Sequence, residues 1–212
     1  MSWYRNLYPP KVPLALRPEH ITEFQVALEL KPHDDPRAAR KSPRDYVVRD
    51  ADGITQFTAS GWSFNGMECR EIRDSSGLPL FELHHKARAF KHSWDVTLPG
   101  ARDKPLISAH VKTGLNKFEF PVTVENAVVG GGCKKVTLQV HPVGPADIKF
   151  FVTVDNRKIM AFLRDVFKPG NLTTKPYPDV RSGWEAVIAP DVDLSLATIV
   201  LIMISDWIRG GM

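Results

Sequence analysis

A chain of 212 residues, 43% hydrophobic and 25% charged, is long enough to bury a sizeable core and has the make-up of an ordinary water-soluble protein, not a disordered one. Its net charge of +4 is a mild basic excess that favours anionic surfaces only weakly and argues against a dedicated nucleic-acid binder. The two cysteines, Cys69 and Cys133, exclude a disulfide framework, and no apolar signal-peptide core follows Met1, so reduced thiols and a cytoplasmic location are expected.

Residues 1–20 contain Pro9, Pro10, Pro13 and Pro18, which forbid a regular helix and predict an extended N-terminal arm. From there to residue 212 the chain reads as one domain. Phe24, Val26, Leu28 and Leu30 alternate with polar or small residues, the period of a half-buried strand. The stretch 31–44 has no apolar side chain larger than alanine and is expected to be a long exposed loop carrying Arg37, Arg40, Lys41 and Arg44.

From Asp45 the grammar is strand, turn, strand. Tyr46 to Arg49 leads into a hairpin turn at Asp50 to Gly53, and Met67 to Arg73 leads into a second at Asp74 to Gly77. Further strand-like runs cover 78–83, 87–90, 93–98, 106–112, 117–124, 135–140 and 149–154, separated by turns rich in Gly and Pro. Strands spaced this closely, with no helices between them, argue for a sandwich or barrel and against βαβ units. In 157–167, Ile159, Met160, Phe162, Leu163, Val166 and Phe167 recur near helical spacing; a short helix is predicted there, with an apolar strand as the alternative. Trp184 to Ile188 reads as the last strand.

The C-terminal segment 194–208 is read as a helix with Asp193 at its N-cap. Between Leu196 and Ile204 only Thr198 is polar, so the helix is apolar all round and must lie in a core or a membrane. About 15 residues span roughly 22 Å, short of a hydrocarbon core of about 30 Å, and Asp193 and Asp206 bound the segment closely. Burial of each large apolar residue is worth about 1.5–3 kcal/mol, so exposure to water is ruled out. One helix needing cover on every side, among about a dozen strands, is best enclosed by a closed barrel. The expected fold is therefore mainly β: a closed antiparallel β-barrel of about twelve strands around a buried hydrophobic C-terminal helix.

Three stretches carry a family likeness. They are Tyr46 to Gly53, then Asp74 to Leu80 leading on to Lys86 and Trp94, and Val187 to Leu194 running into the hydrophobic helix. In this order, and between Phe24 and Trp207, the chain resembles the tubby C-terminal-like superfamily and within it the LURP-one-related proteins. The resemblance implies a twelve-stranded barrel around a central C-terminal helix. It also implies kinship with phosphoinositide-binding tubby proteins and with scramblases that act at phospholipid membranes; the LURP-one branch is linked to plant defence. The basic 31–44 loop departs from the compact pattern of the family.

Chemistry-bearing motifs are few. No GxSxG elbow occurs, and neither cysteine has a histidine partner at motif spacing, so no catalytic residue is expected. Of the seven histidines, His84 and His85 are adjacent and face opposite ways on a strand; no HxH, HExxH or Cys/His spacing accompanies them, so no metal site is expected either. Glycines 130–132 lack the spacing of a phosphate loop. Two basic clusters suit phosphates. One is Lys86, Arg88 and Lys91, in which Lys86 and Arg88 share a strand face and Lys91 faces away unless a bulge intervenes. The other is the loop set Arg37, Arg40, Lys41 and Arg44. The expectation is a monomeric, non-enzymatic protein without cofactor that meets an anionic lipid headgroup at a membrane surface. Its alternatives are a protein-interaction or regulatory module, and a barrel that holds a small ligand.

Overall fold

Alternation of inward apolar and outward polar residues turns most of the chain into one continuous antiparallel sheet. The computed structural model describes residues 6–32, 45–64, 67–88, 91–114, 117–128, 134–144, 148–164 and 183–210. Its strands are β1 (Val26–Pro32), β2 (Tyr46–Asp50), β3 (Thr55–Phe64), β4 (Met67–Asp74), β5 (Pro79–Arg88), β6 (Lys91–Thr97), β7 (Ile107–Gly114), β8 (Lys117–Glu119), β9 (Pro121–Asn126), β10 (Lys134–Val143), β11 (Lys149–Val154), β12 (Arg157–Arg164) and β13 (Trp184–Ile188). A helix, α1 (Leu194–Gly210), follows.

The order around the sheet is β6-β5-β4-β3-β2-β1-β13-β12-β11-β10-β9-β7, and pairing of β6 with β7 closes it into a ring of twelve. Closure leaves no edge strand along the wall. The short β8 pairs with the far end of β7 and prolongs the line of β9 past Phe120, so the expected run 117–124 is one strand broken in two. β5 likewise joins two expected runs into one strand that passes through His84 and His85.

The closed wall encloses α1. Leu196, Ile199, Val200, Ile202, Met203 and Ile204 are wholly inaccessible to solvent, as are Leu30, Val48, Ile72, Phe81, Val96, Val122, Leu138, Val152, Phe162 and Ile188 on the inner faces of the strands. Among the described residues no helix is long and apolar enough to cross a membrane. At the start of α1, Asp193 caps the helix: its Oδ1 accepts from the Ser195 and Leu196 amides at 2.6 and 3.4 Å. Its Oδ2 accepts from the Leu16 and Arg17 amides at 2.9 Å each, which ties the N-terminal segment across that end of the barrel. Leu14, Ala15 and Leu16 are buried there, and Pro18–His20 form one turn of 3-10 helix.

The two Asp-x-x-Gly turns are built alike. Asp50 Oδ1 accepts from the amides of Asp52 and Ile54, and Asp74 Oδ1 from those of Ser76 and Leu78. Gly53 and Gly77 close the turns with φ of 79° and 88°, left-handed values that glycine adopts without strain. The Ile54 amide holds the Asp50 carboxyl below its ordinary pKa, and the Ser76 hydroxyl does the same for Asp74.

One element departs from expectation. Residues 157–164 form strand β12, not a helix. The register with β11 shifts after Val152↔Met160 to Thr153↔Lys158, leaving Ile159 as the extra residue of a β-bulge. Ile159 and Met160 are consequently both buried. This break in alternation puts apolar side chains at 159, 160, 162 and 163, a spacing that imitates helical periodicity.

Candidate functional site at the helix C-terminal end

Strand register decides which segments meet at each end of the barrel. The last pairs of β1 with β2, β5 with β6, β7 with β8 and β10 with β11 are Pro32↔Tyr46, Arg88↔Lys91, Gly114↔Lys117 and Val143↔Lys149. All lie at the end where α1 finishes, because Ser205 meets Tyr46 (Oγ to Oη, 3.0 Å), Asp206 meets Arg70, and the Trp207 ring lies 4.9 Å from that of Phe118. The turns at Asp50 and Asp74 and the bridge of Leu14 to Val192 lie at the opposite end.

Of the residues expected to contact phosphate, Lys86, Arg88 and Lys91 belong to the ends of β5 and β6 that lie here. Lys86 is exposed on β5. Arg88 and Lys91 are register partners, the last pair of β5 with β6. Their side chains lie outside the described residues. So do Arg37, Arg40, Lys41 and Arg44, but the chain leaves β1 at Pro32 and re-enters at Asp45, both at this end. Lys112, exposed on β7 and the register partner of Lys91, joins the same band, with exposed His110 beside it. Lys112 escaped the sequence reading because its neighbours are cross-strand ones, far away along the chain.

Inside the same end is a compact ionic network. Arg70 donates to both Asp206 oxygens, at 2.5 and 2.8 Å, and lies 3.6 Å from Glu68. Burial alone would lower the Arg70 pKa; the Asp206 carboxylate, with smaller help from Tyr46 and Asp45, outweighs it and holds the guanidinium charged. Glu68 Oε2 is 3.2 Å from His85 Nδ1, and His85 Nε2 is 3.1 Å from His92 Nδ1. The His92, His85, Trp94 and Phe120 rings stack in succession at 5.3, 4.7 and 5.3 Å. The charge of Arg70 is thus spent on internal carboxylates, and the helix with this ring stack fills the interior. Arg70, buried and paired, is closed to an outside anion, whereas Lys86 and Lys112 stand exposed on the outer wall.

Among the described residues, two groups have metal-ligand character. Glu68, His85 and Asp206 cluster closely, but the Arg70 guanidinium already supplies their cation. The second group is Cys69, Glu82 and His84 on the outer wall of β4 and β5. The sequence reading found no histidine partner for Cys69, yet Cys69 and His84 are register partners. As a nucleophile Cys69 is poorly placed, since burial, first of all, pushes its thiol above the ordinary pKa.

Comparison with known proteins places these observations. A family model described as LURP-one-related matches residues 37–206. No curated protein matches the chain. Among solved structures, an Arabidopsis thaliana protein determined by X-ray crystallography superposes with a TM-score of 0.58 at 14% identity, covering 93% of this chain and 99% of that one. At that identity the likeness speaks for the tubby-like barrel fold alone.

Proposed function

The chain belongs to the LURP-one-related family, and from that premise we propose that it is a non-enzymatic, cytosolic monomer that binds anionic phospholipid headgroups at a membrane surface. The observation behind this reading is that exposed Lys86 and Lys112 lie towards the end of the barrel where α1 finishes, the same end at which β1 stops and β2 begins. Lys86, Arg88, Lys91 and Lys112 follow from β5 to β7, and the segment with Arg37, Arg40, Lys41 and Arg44 leaves and re-enters the wall at β1 and β2. Neighbouring strands are about 4.8 Å apart, so the strand ends at Pro32 and Tyr46 and the lysines of β5 and β7 suit one membrane contact. Internal neutralisation of Arg70 supports an outer, surface-following mode over a deep headgroup pocket.

Co-sedimentation of the full chain with phosphatidylcholine vesicles, with and without phosphoinositide, across a salt series tests the reading. Binding is expected only with the anionic lipid and is expected to weaken as salt rises. Each basic residue near a charged surface contributes about 1 kcal/mol, so replacing Arg37, Arg40, Lys41 and Arg44 together by Ala is expected to weaken binding on the order of 100-fold or more. Binding indifferent to lipid charge and to salt would defeat the proposal.

A second reading, a protein-interaction module, is supported by the opposite end. There Ile54, Leu78 and Leu98 stand exposed on three neighbouring hairpin connections. Substituting them to Ser leaves lipid binding unchanged if the basic end is the membrane contact.

A further inference from the structure

On the outer wall of the barrel the register of β4 and β5 sets Cys69 directly opposite His84, and Glu82 lies two residues earlier on β5, on the same face. The inward positions of these strands are taken by Glu68, Arg70, Leu83 and His85, all buried. The Cys69 thiol sulfur, a Glu82 carboxylate oxygen and a His84 ring nitrogen all lie within 4.8 Å of one another. Cys69 carries no disulfide.

The polar atoms in this cluster are unusual for a surface ion pair. Glu82 Oε2 and His84 Nε2, each shut off from solvent, face one another at 3.3 Å without hydrogen-bond geometry. Shielded polar atoms that meet outside hydrogen-bond geometry are costly, and a cation between the two would satisfy both. The other carboxylate oxygen, Glu82 Oε1, accepts from the Gly100 amide at 3.2 Å, which orients the group as outer partners orient metal ligands. One sulfur, one imidazole nitrogen and one carboxylate oxygen form a donor set for a borderline cation and exclude magnesium and calcium, which take oxygens. Bonds of about 2.0–2.3 Å to zinc place tetrahedral ligands roughly 3.3–3.8 Å apart, so the observed cluster needs only a small inward closure.

We propose that Cys69, Glu82 and His84 bind Zn2+ on the outer wall of the barrel, with solvent as the fourth ligand. The ion clamps β4 to β5 and, through Glu82 and Gly100, clamps both to the connection between β6 and β7. This site is on the wall, independent of the basic end and of the lipid reading. Spacing along the sequence hides it because His84 reaches Cys69 across two strands.

The test is calorimetric titration of the chelator-treated full chain with Zn2+, together with the absorption spectrum of the Co2+ form. The wild-type chain is expected to bind one Zn2+ and to show thiolate-to-cobalt charge transfer. Cys69→Ser and His84→Asn are expected to weaken binding at least ~100-fold, beyond the ~10–100-fold typical of losing an outer-shell partner. Glu82→Gln keeps an oxygen acceptor for Gly100 and is expected to lose about 10-fold. Cys133→Ser retains wild-type affinity and the charge-transfer band. Cooperative unfolding in chelator certifies that each variant is folded, and the three ligand variants are independent, so failure of one to fold leaves two. The proposal is overturned if the wild type takes up no stoichiometric Zn2+, if any folded ligand variant keeps wild-type affinity, or if the cobalt band survives in Cys69→Ser.

Discussion

Arg70 and Asp206 show how a barrel interior accommodates full charges. Both side chains are almost wholly buried, at 3% and 1% exposure, and the pair joins the wall to the last turns of the helix. Breaking such a pair leaves an uncompensated charge in a low-dielectric interior. Asp206→Ala is therefore expected to cost about 3–5 kcal/mol, read from urea unfolding. Arg70→Met combined with Asp206→Leu is expected to be less destabilised than Arg70→Met alone, since the single variant strands two carboxylates, Glu68 and Asp206, and the double variant only Glu68.

The neighbouring His92 links the same network to pH. Burial, and then His85 beside it, hold its pKa below the ordinary 6.5, against the opposing pull of Asp206. Burial shifts His141 the same way. The unfolded chain takes up protons at the ordinary value while the folded protein resists them. Stability is thus full above pH 6.5 and declines as pH falls through that value towards the depressed folded ones. The melting temperature is expected to drop between about pH 7.5 and about pH 5.5, and His92→Gln with His141→Gln is expected to flatten that drop. None of this network is legible in sequence: Glu68, Arg70 and His85 look like ordinary surface residues until the alternation of β4 and β5 turns them inward, towards Asp206 on α1.

Among the elements, the helix is the most legible. Its apolar residues occupy every side, and no local arrangement other than burial suits such a segment, so position and environment follow from composition alone. Ile202→Ala is expected to cost about 2–5 kcal/mol, whereas exposed Leu78→Ala in its turn is expected to stay within about 0.5 kcal/mol, both by denaturant unfolding. The Asp-x-x-Gly turns are nearly as legible because their hydrogen bonds join residues two and four apart. Strand β12 is the opposite case. Its bulge at Ile159 is set by pairing with β11, and the resulting apolar spacing reads as helix when that partner is not known.

For the whole molecule, polarity between the two ends is the organising fact. If lipid binding depended on net charge alone, any pair of exposed lysines would serve equally. Lys86 and Lys112 lie towards the end where α1 finishes, while exposed Lys134 and Lys135 pair with Asn126 and Glu125 towards the end where it starts. Reversing either pair to Glu changes net charge by the same amount. Vesicle binding is expected to fall steeply for Lys86→Glu with Lys112→Glu and to change little for Lys134→Glu with Lys135→Glu; equal losses would point to charge alone.

Fold class, the buried helix and the two similar turns rest on interactions a few residues long, on composition and on the need to cover apolar surface, and all of these are properties of the chain read in order. That Lys86 and Lys112 share an end, how Arg70 is neutralised and what stands beside Cys69 are settled by register between strands. Register depends on closure of the whole ring: each strand takes its partner, and each side chain its neighbours, only when the twelve strands have gone round the helix and β6 has met β7.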